Sequence, residues 1–305
     1  MNADDNLLPP EPPEPVEPVP QSAQPAAPAD SFQSEPAPQE GETPERPRRY
    51  LPDDLRVPWG WADLGVLVGL AMVGIGLVSV AMMLALKLAG VPAAHIRKSP
   101  GAMSVIAVVA QAILDLGLLA YLAANIRLRF HAPFWRTIGW RPIETRSISR
   151  TLPYFSLAFG GFALAAIVAF AEALFPPKHQ LPIQSMTQNP HAALLFMLTA
   201  VLVAPVVEET IFRGYLYPVA ARSFGVGMGI IFTGTLFGLL HAGQLWGGWW
   251  QIALLVVVGI VFTIARAATR TVVASYILHA SYNALPVIAA LLSSVKLRHF
   301  APLLH

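Results

Sequence analysis

Two carboxylates stand side by side at Glu208 and Glu209, and a guanidinium follows at Arg213, inside a stretch that is otherwise apolar. On a helix, positions i and i+4 share a face, so Glu209 and Arg213 are expected to pair. That leaves Glu208 with no local partner. Adjacent carboxylates in a low-dielectric medium do not both ionise easily. One paired Glu beside one free Glu is therefore a workable way to set up a general base. Two histidines extend the set. His241 closes Phe237-Gly238-Leu239-Leu240-His241, and His279 opens His279-Ala280-Ser281-Tyr282-Asn283, with Asn283 at i+4. An imidazole and a carboxamide both offer donors to a developing oxyanion.

The elements that must position these side chains are membrane helices. The chain has 305 residues, of which 55% are hydrophobic and 12% charged, and no cysteine. The charged share is about half that of a typical soluble domain. A soluble globular enzyme, a disulfide scaffold, a thiolate zinc site and a Cys nucleophile are all excluded. About 20 apolar residues cross a bilayer as a helix, and the sequence places such runs at Leu64–Leu86, Ala102–Ala124, Leu152–Leu174, from His191 through Ala221, twice within 223–265, and at Thr271–Leu292. The expected fold is an all-α polytopic membrane protein of about seven transmembrane helices behind a disordered Pro/Glu-rich N-terminal tail. Residues 1–55 are expected to be that tail, residues 56–190 the first three spans with their loops, and residues 191–295 a catalytic helical core.

Helix rise tests whether the polar residues meet. Counted from the turn at Ser223–Gly225, Glu208 lies about 20 Å and His241 about 24 Å along their helices. Counted from the turn near Ala268, on the same membrane side, His279 lies about 16 Å and Asn283 about 22 Å away. Four polar side chains on three helices are thus expected at similar depth. Charged groups in spans are costly and functional by default. Asp115 and Glu172 also fall in spans and read as packing or interface residues. Gly234-Thr235-Leu236-Phe237-Gly238 reads as close helix packing through small residues. There is no HExxH, no GxSxG and no phosphate-cradling Gly-rich loop.

Lys/Arg placement sets the expected orientation. Fourteen lie on the side of the N-terminal tail, Arg213 among them, and six on the other, so the tail is expected in the cytoplasm. This bias accounts for the high isoelectric point and leaves no reason to invoke nucleic acid. Residues 1–50 hold 13 of the 28 prolines and 10 of the 18 acids. They read as a solvated spacer that also offers a possible partner-binding arm, and they lack the features of a signal peptide.

Taken together, Glu208-Glu209-xxx-Arg213, Phe237-xxx-His241 and His279-xxx-Asn283 resemble, in order, the three motifs of the CPBP family. This group contains the type II CAAX prenyl proteases and the bacteriocin-processing and immunity proteins, and is also called Abi. The resemblance spans residues 192–292. It implies an all-helical intramembrane endopeptidase acting on a peptide or protein in or at the bilayer. Glu208 would activate a water with help from His241. His279 and Asn283 would stabilise the oxyanion, and Glu209, Arg213 and Phe237 would support the first two motifs. No cofactor is favoured. The family is often named metalloprotease, and a zinc ion, if present, would sit on His241, His279 and Glu208. A proton-coupled transporter and a non-catalytic immunity or scaffold protein are the competing readings. A bacterial inner (plasma) membrane is the expected location.

Overall fold

The computed structural model describes residues 52–92, 99–144, 151–185 and 190–300. Most of the expected disordered tail, residues 1–51, lies outside the described residues. Among the described residues there are helices and no strands. Seven are apolar and long enough to matter: α1 (Trp61–Leu88), α2 (Pro100–Leu128), α3 (Leu152–Leu174), α4 (Ala192–Phe224), α5 (Val226–Leu240), α6 (Trp249–Thr269) and α7 (Val272–Phe300). Six of these are long and apolar enough to cross a membrane. The exception is α5, whose 15 residues extend about 22 Å, short of the roughly 30 Å hydrocarbon core. The cause lies in the sequence after it. Gly243, Gly247 and Gly248 follow within eight residues, and Gly247 sits at φ +91°, which a side chain resists. The helix therefore stops at Leu240 and resumes only at Trp249. His241 is not inside a span, as its place in the apolar run suggested, but is the first residue past the end of α5.

Helix α4 is the one that carries the two carboxylates, and it is not a regular α-helix. Thr199–Val203 and Thr210–Leu216 are π-helical. Each stretch ends two residues before a proline. The Ala204 N–H reaches back five residues to the Thr199 carbonyl, and the next residue is Pro205. Likewise the Tyr217 N–H reaches the Phe212 carbonyl, and Pro218 follows. Proline has no N–H to donate and its ring crowds the preceding turn. The wider turn relieves that crowding and leaves the carbonyl that proline cannot serve open to another donor.

The segment before α1 is fastened to the end of α4. Trp59 Nε1 donates to the Tyr215 carbonyl at 2.9 Å, and the two rings stack at 4.8 Å. Arg222 donates to the carbonyls of Val57 and Trp59, both at 2.8 Å. Arg266 on α6 pairs with Asp54 at 2.6 Å. Around these, Leu122, Ile126, Ile138, Phe212, Val219 and Phe237 form the main buried cluster.

Helices α5 and α6 touch backbone to backbone. A Cβ on Gly234 would lie 2.5 Å from the Ile260 nitrogen, and one on Gly238 would lie 2.7 Å from the Val256 nitrogen. The small-xxx-small motif is thus a packing device, as its spacing suggests. Gly161 lets α3 approach α7 in the same way, since a Cβ there would meet the Leu278 carbonyl at 2.4 Å. These approaches bring α5, α6 and α7 close enough for their polar residues to reach α4.

Candidate active site

Glu209 and Arg213 pair as their spacing requires. Arg213 Nη1 donates to Glu209 Oε1 at 2.8 Å, and both side chains are fully buried. Burial of an ion pair is costly unless every remaining donor finds a partner. The other two Arg213 nitrogens find partners on α6. Nη2 donates to the Gly259 carbonyl at 2.8 Å and Nε to Thr263 Oγ1 at 3.2 Å. The guanidinium also lies 4.5 Å from the Phe237 ring centre, a cation–π contact. Arg213 consequently belongs to the site and not to the charges that orient the chain in the membrane. Without it the bias is 13 against 6 and keeps its sign.

Glu209 has a second partner that spacing alone does not reveal. His279 Nδ1 donates to the same Oε1, also at 2.8 Å. The other carboxylate oxygen, Oε2, is buried with no hydrogen-bond partner among the described residues. His241 is held differently. Its Nδ1 lies 2.8 Å from the Phe237 carbonyl, which can only accept, so Nδ1 carries a proton. Both imidazoles therefore have Nδ1–H committed and Nε2 turned the other way.

Each Nε2 faces Glu208. His241 Nε2 is 3.8 Å from Glu208 Oε1, and His279 Nε2 is 3.8 Å from Glu208 Oε2. These separations are longer than a direct hydrogen bond. A neutral imidazole presents a lone pair at Nε2, and a lone pair aimed at a carboxylate needs a proton between them. A ring proton, a carboxyl proton or a bridging water supplies it. The Glu208 side chain is 23% exposed and that of His241 21%, against 4% for His279 and 0% for Glu209. The site thus has an accessible half and a sealed half.

Aromatic rings fix the histidines in place. Phe262 stacks on His279 at 4.7 Å, with Phe237 edge-on to it at 5.7 Å. Phe237 also lies 4.8 Å from the His241 ring. This phenylalanine touches both imidazoles and the guanidinium, which gives physical content to its place in the motif.

Asn283 is brought to α4 but not onto Glu208. Its Nδ2 donates to the Ala200 carbonyl at 2.8 Å. Ala200 stands five residues before Pro205, at the position whose carbonyl proline leaves unserved. The bond is legible only after the π-helical turn is known. Thr263, Gly259 and Phe262 on α6 are likewise participants that the sequence did not single out, because their contributions are a backbone carbonyl, a hydroxyl and a ring face.

The donor types of a His₂Glu zinc centre are present in Glu208, His241 and His279. However, no group of three or more His, Cys, Asp or Glu side chains among the described residues is arranged to hold a metal ion.

A comparison with curated proteins and one with solved structures each found no match. Residues 190–285, which hold all of these motif side chains, match the family model for type II CAAX prenyl endopeptidase, Rce1-like, so this third of the chain is similar to the CAAX-type intramembrane proteases that the motifs resemble.

Proposed function

We propose that the protein is an intramembrane endopeptidase in which Glu208 activates a water for attack on a peptide carbonyl. The observation that supports this is the facing of both Glu208 oxygens by two Nε2 atoms whose rings are locked from behind. A water held among them gives a proton to Glu208 as its oxygen bonds to the carbonyl carbon. The carbonyl becomes a tetrahedral oxyanion, for which the proposed donors are the Nε2–H of a protonated His279 and the second Nδ2–H of Asn283. Collapse breaks the C–N bond, and Glu208, directly or by relay through His241 Nε2, gives that proton to the leaving amine. The products are one carboxylate and one amine, and no other reactant is consumed.

The reaction is proposed to be metal-independent. Glu209 is occupied by Arg213 and His279, so Glu208 is the carboxylate left to act as base. If Glu208 instead ligated zinc together with His241 and His279, no base would remain beside it. The proposed substrates are CAAX-type or other membrane-anchored peptides, by likeness to the matched family. The Lys/Arg bias supports a cytoplasmic N-terminus, and a bacterial inner membrane is the proposed location.

The test compares new protein termini in native membranes that contain wild type or Glu208→Gln at matched abundance. Fragments made only by wild type support the reading and name the substrate. Identical termini under all inducing conditions sink it. Loss of those fragments on adding a chelator, with recovery on adding zinc, would overturn the metal-independent form alone.

A further inference from the structure

We propose that Asp115, held by Gln111, forms the polar rim of the mouth through which water and substrate reach Glu208, and that it positions the substrate chain by accepting a backbone N–H. The positioning role rests on the proteolytic reading above; the mouth does not.

Asp115 is the one charged residue of α2 before Arg127. It lies about 20 Å from either end of that helix, near the middle of a bilayer. Its Oδ1 accepts from Gln111 Nε2 at 2.7 Å, one turn earlier on the same face. A carboxylate at that depth is expensive against lipid and is retained where it faces protein or a water-filled cavity. The packing says which. Helix α2 packs against the Ala204–Glu209 section of α4, and Asp115 lies within electrostatic reach of Glu208 and His241. Those two residues are the accessible half of the site, whereas His279 and Glu209 form the sealed half. We infer from this that the open side of the site faces the Gln111–Asp115 face of α2.

Helix α5 adds to this. It ends at Leu240, and the residues from His241 to Gly248 continue without regular helix. Irregular backbone at membrane depth is tolerated where it lines a watery cavity. A peptide bond to be hydrolysed must leave its own helix, which exposes N–H groups that hydrocarbon does not satisfy. A carboxylate on the rim accepts such an N–H in a charge-assisted bond.

The chain has no cysteine, so single thiols report on accessibility without background. Asp115→Cys, Gln111→Cys and Ile113→Cys are made in the full chain and treated in native membranes with a charged, membrane-impermeant methanethiosulfonate. That reagent attacks the thiolate, which needs water. Ile113 lies on the opposite side of α2 and is half exposed. Positions 111 and 115 are expected to react at least about tenfold faster than 113. Equal rates would overturn the mouth.

Asp115→Asn and Asp115→Leu are then assayed on the bond that wild type cuts and Glu208→Gln does not. A positioning role predicts KM raised about tenfold for Asp115→Leu, less for Asp115→Asn, with kcat within about twofold. Unchanged KM, or a fall in kcat alone, overturns positioning. Should Glu208→Gln cut the same bond, the proteolytic reading has failed, and the labelling rates still decide the mouth.

Discussion

His279 and Glu209, 70 positions apart in sequence, are joined by a 2.8 Å hydrogen bond from Nδ1 to Oε1. The same oxygen receives Arg213 Nη1 at 2.8 Å. Glu209 is therefore a junction: it neutralises a buried cation, and it also decides which nitrogen of His279 faces Glu208. Adjacent carboxylates thereby acquire different duties, one structural and sealed, one accessible.

Glu209→Gln should damage stability first. It removes the carboxylate paired with Arg213 and places an amide where Oε2 already has no partner among the described residues. Breaking a buried ion pair costs about 3–5 kcal/mol. Thermal unfolding in detergent should show a large fall in Tm, with activity lost alongside. An unchanged Tm would show that the pair contributes nothing to the fold.

Glu208→Gln should do the opposite. The side chain is partly exposed and its nearest ring nitrogens stand 3.8 Å away. Little packing is lost, so Tm should hold within a degree or two of wild type. Loss of a general base lowers turnover about 10²–10⁴-fold. Rates measured on an identified substrate check this, and a variant that keeps most of its activity would remove Glu208 from the chemistry.

Asn283 and Pro205 should be energetically coupled. Asn283→Ala strips the Ala200 carbonyl of its donor, at a cost of about 1–3 kcal/mol if the carbonyl stays buried. Pro205→Ala restores a backbone N–H at the position able to serve that carbonyl. In a double-mutant cycle the cost of Asn283→Ala should shrink once Pro205 is Ala. Strict additivity would argue that the two residues act independently. A separate collapse of kcat in Asn283→Ala, with Tm preserved, would favour the oxyanion role over the structural one.

Gly238→Ala should force α5 and α6 apart. The added Cβ meets the backbone nitrogen of Val256 at 2.7 Å, and backbone cannot swing aside as a flexible side chain does. Overpacking of this kind costs about 1–3 kcal/mol. Because Phe237 is the neighbouring residue and touches both imidazoles, activity should fall more than stability. Gly227→Ala, where a Cβ meets nothing within 4 Å, is the matched control and should behave as wild type.

How far the sequence reaches depends on which interactions are local. Glu209–Arg213 pairing follows from i, i+4 spacing and is observed. Apolar runs mark the helices well because the hydrocarbon thickness demands their length. The common depth of Glu208, His241 and His279 follows from counting helix rise from shared turns, and the three do meet. What spacing cannot give is direction. His279 turns one nitrogen to Glu209 and the other to Glu208, a choice made by the packing of α7 on α4. Asn283 goes to a carbonyl freed by a proline on another helix, which no motif encodes. The end of α5 at Leu240 was hidden because His241 sits in an apolar run, and only the glycines beyond it hint at the stop. Arg213 looked like an orienting charge because its partners on α6 are a carbonyl and a hydroxyl.

The placement of Arg213 and Glu209 on one helix also bears on how the chain is made. Helix α4 leaves the ribosome before α6 and α7 exist, so Gly259, Thr263 and His279 are not yet there to receive either group. A guanidinium that had to wait for them would meet the insertion machinery as a naked cation. Four residues of spacing let the two charges cancel within the emerging helix itself. That pair is then delivered into the bilayer as a neutral unit, and the later helices complete its coordination.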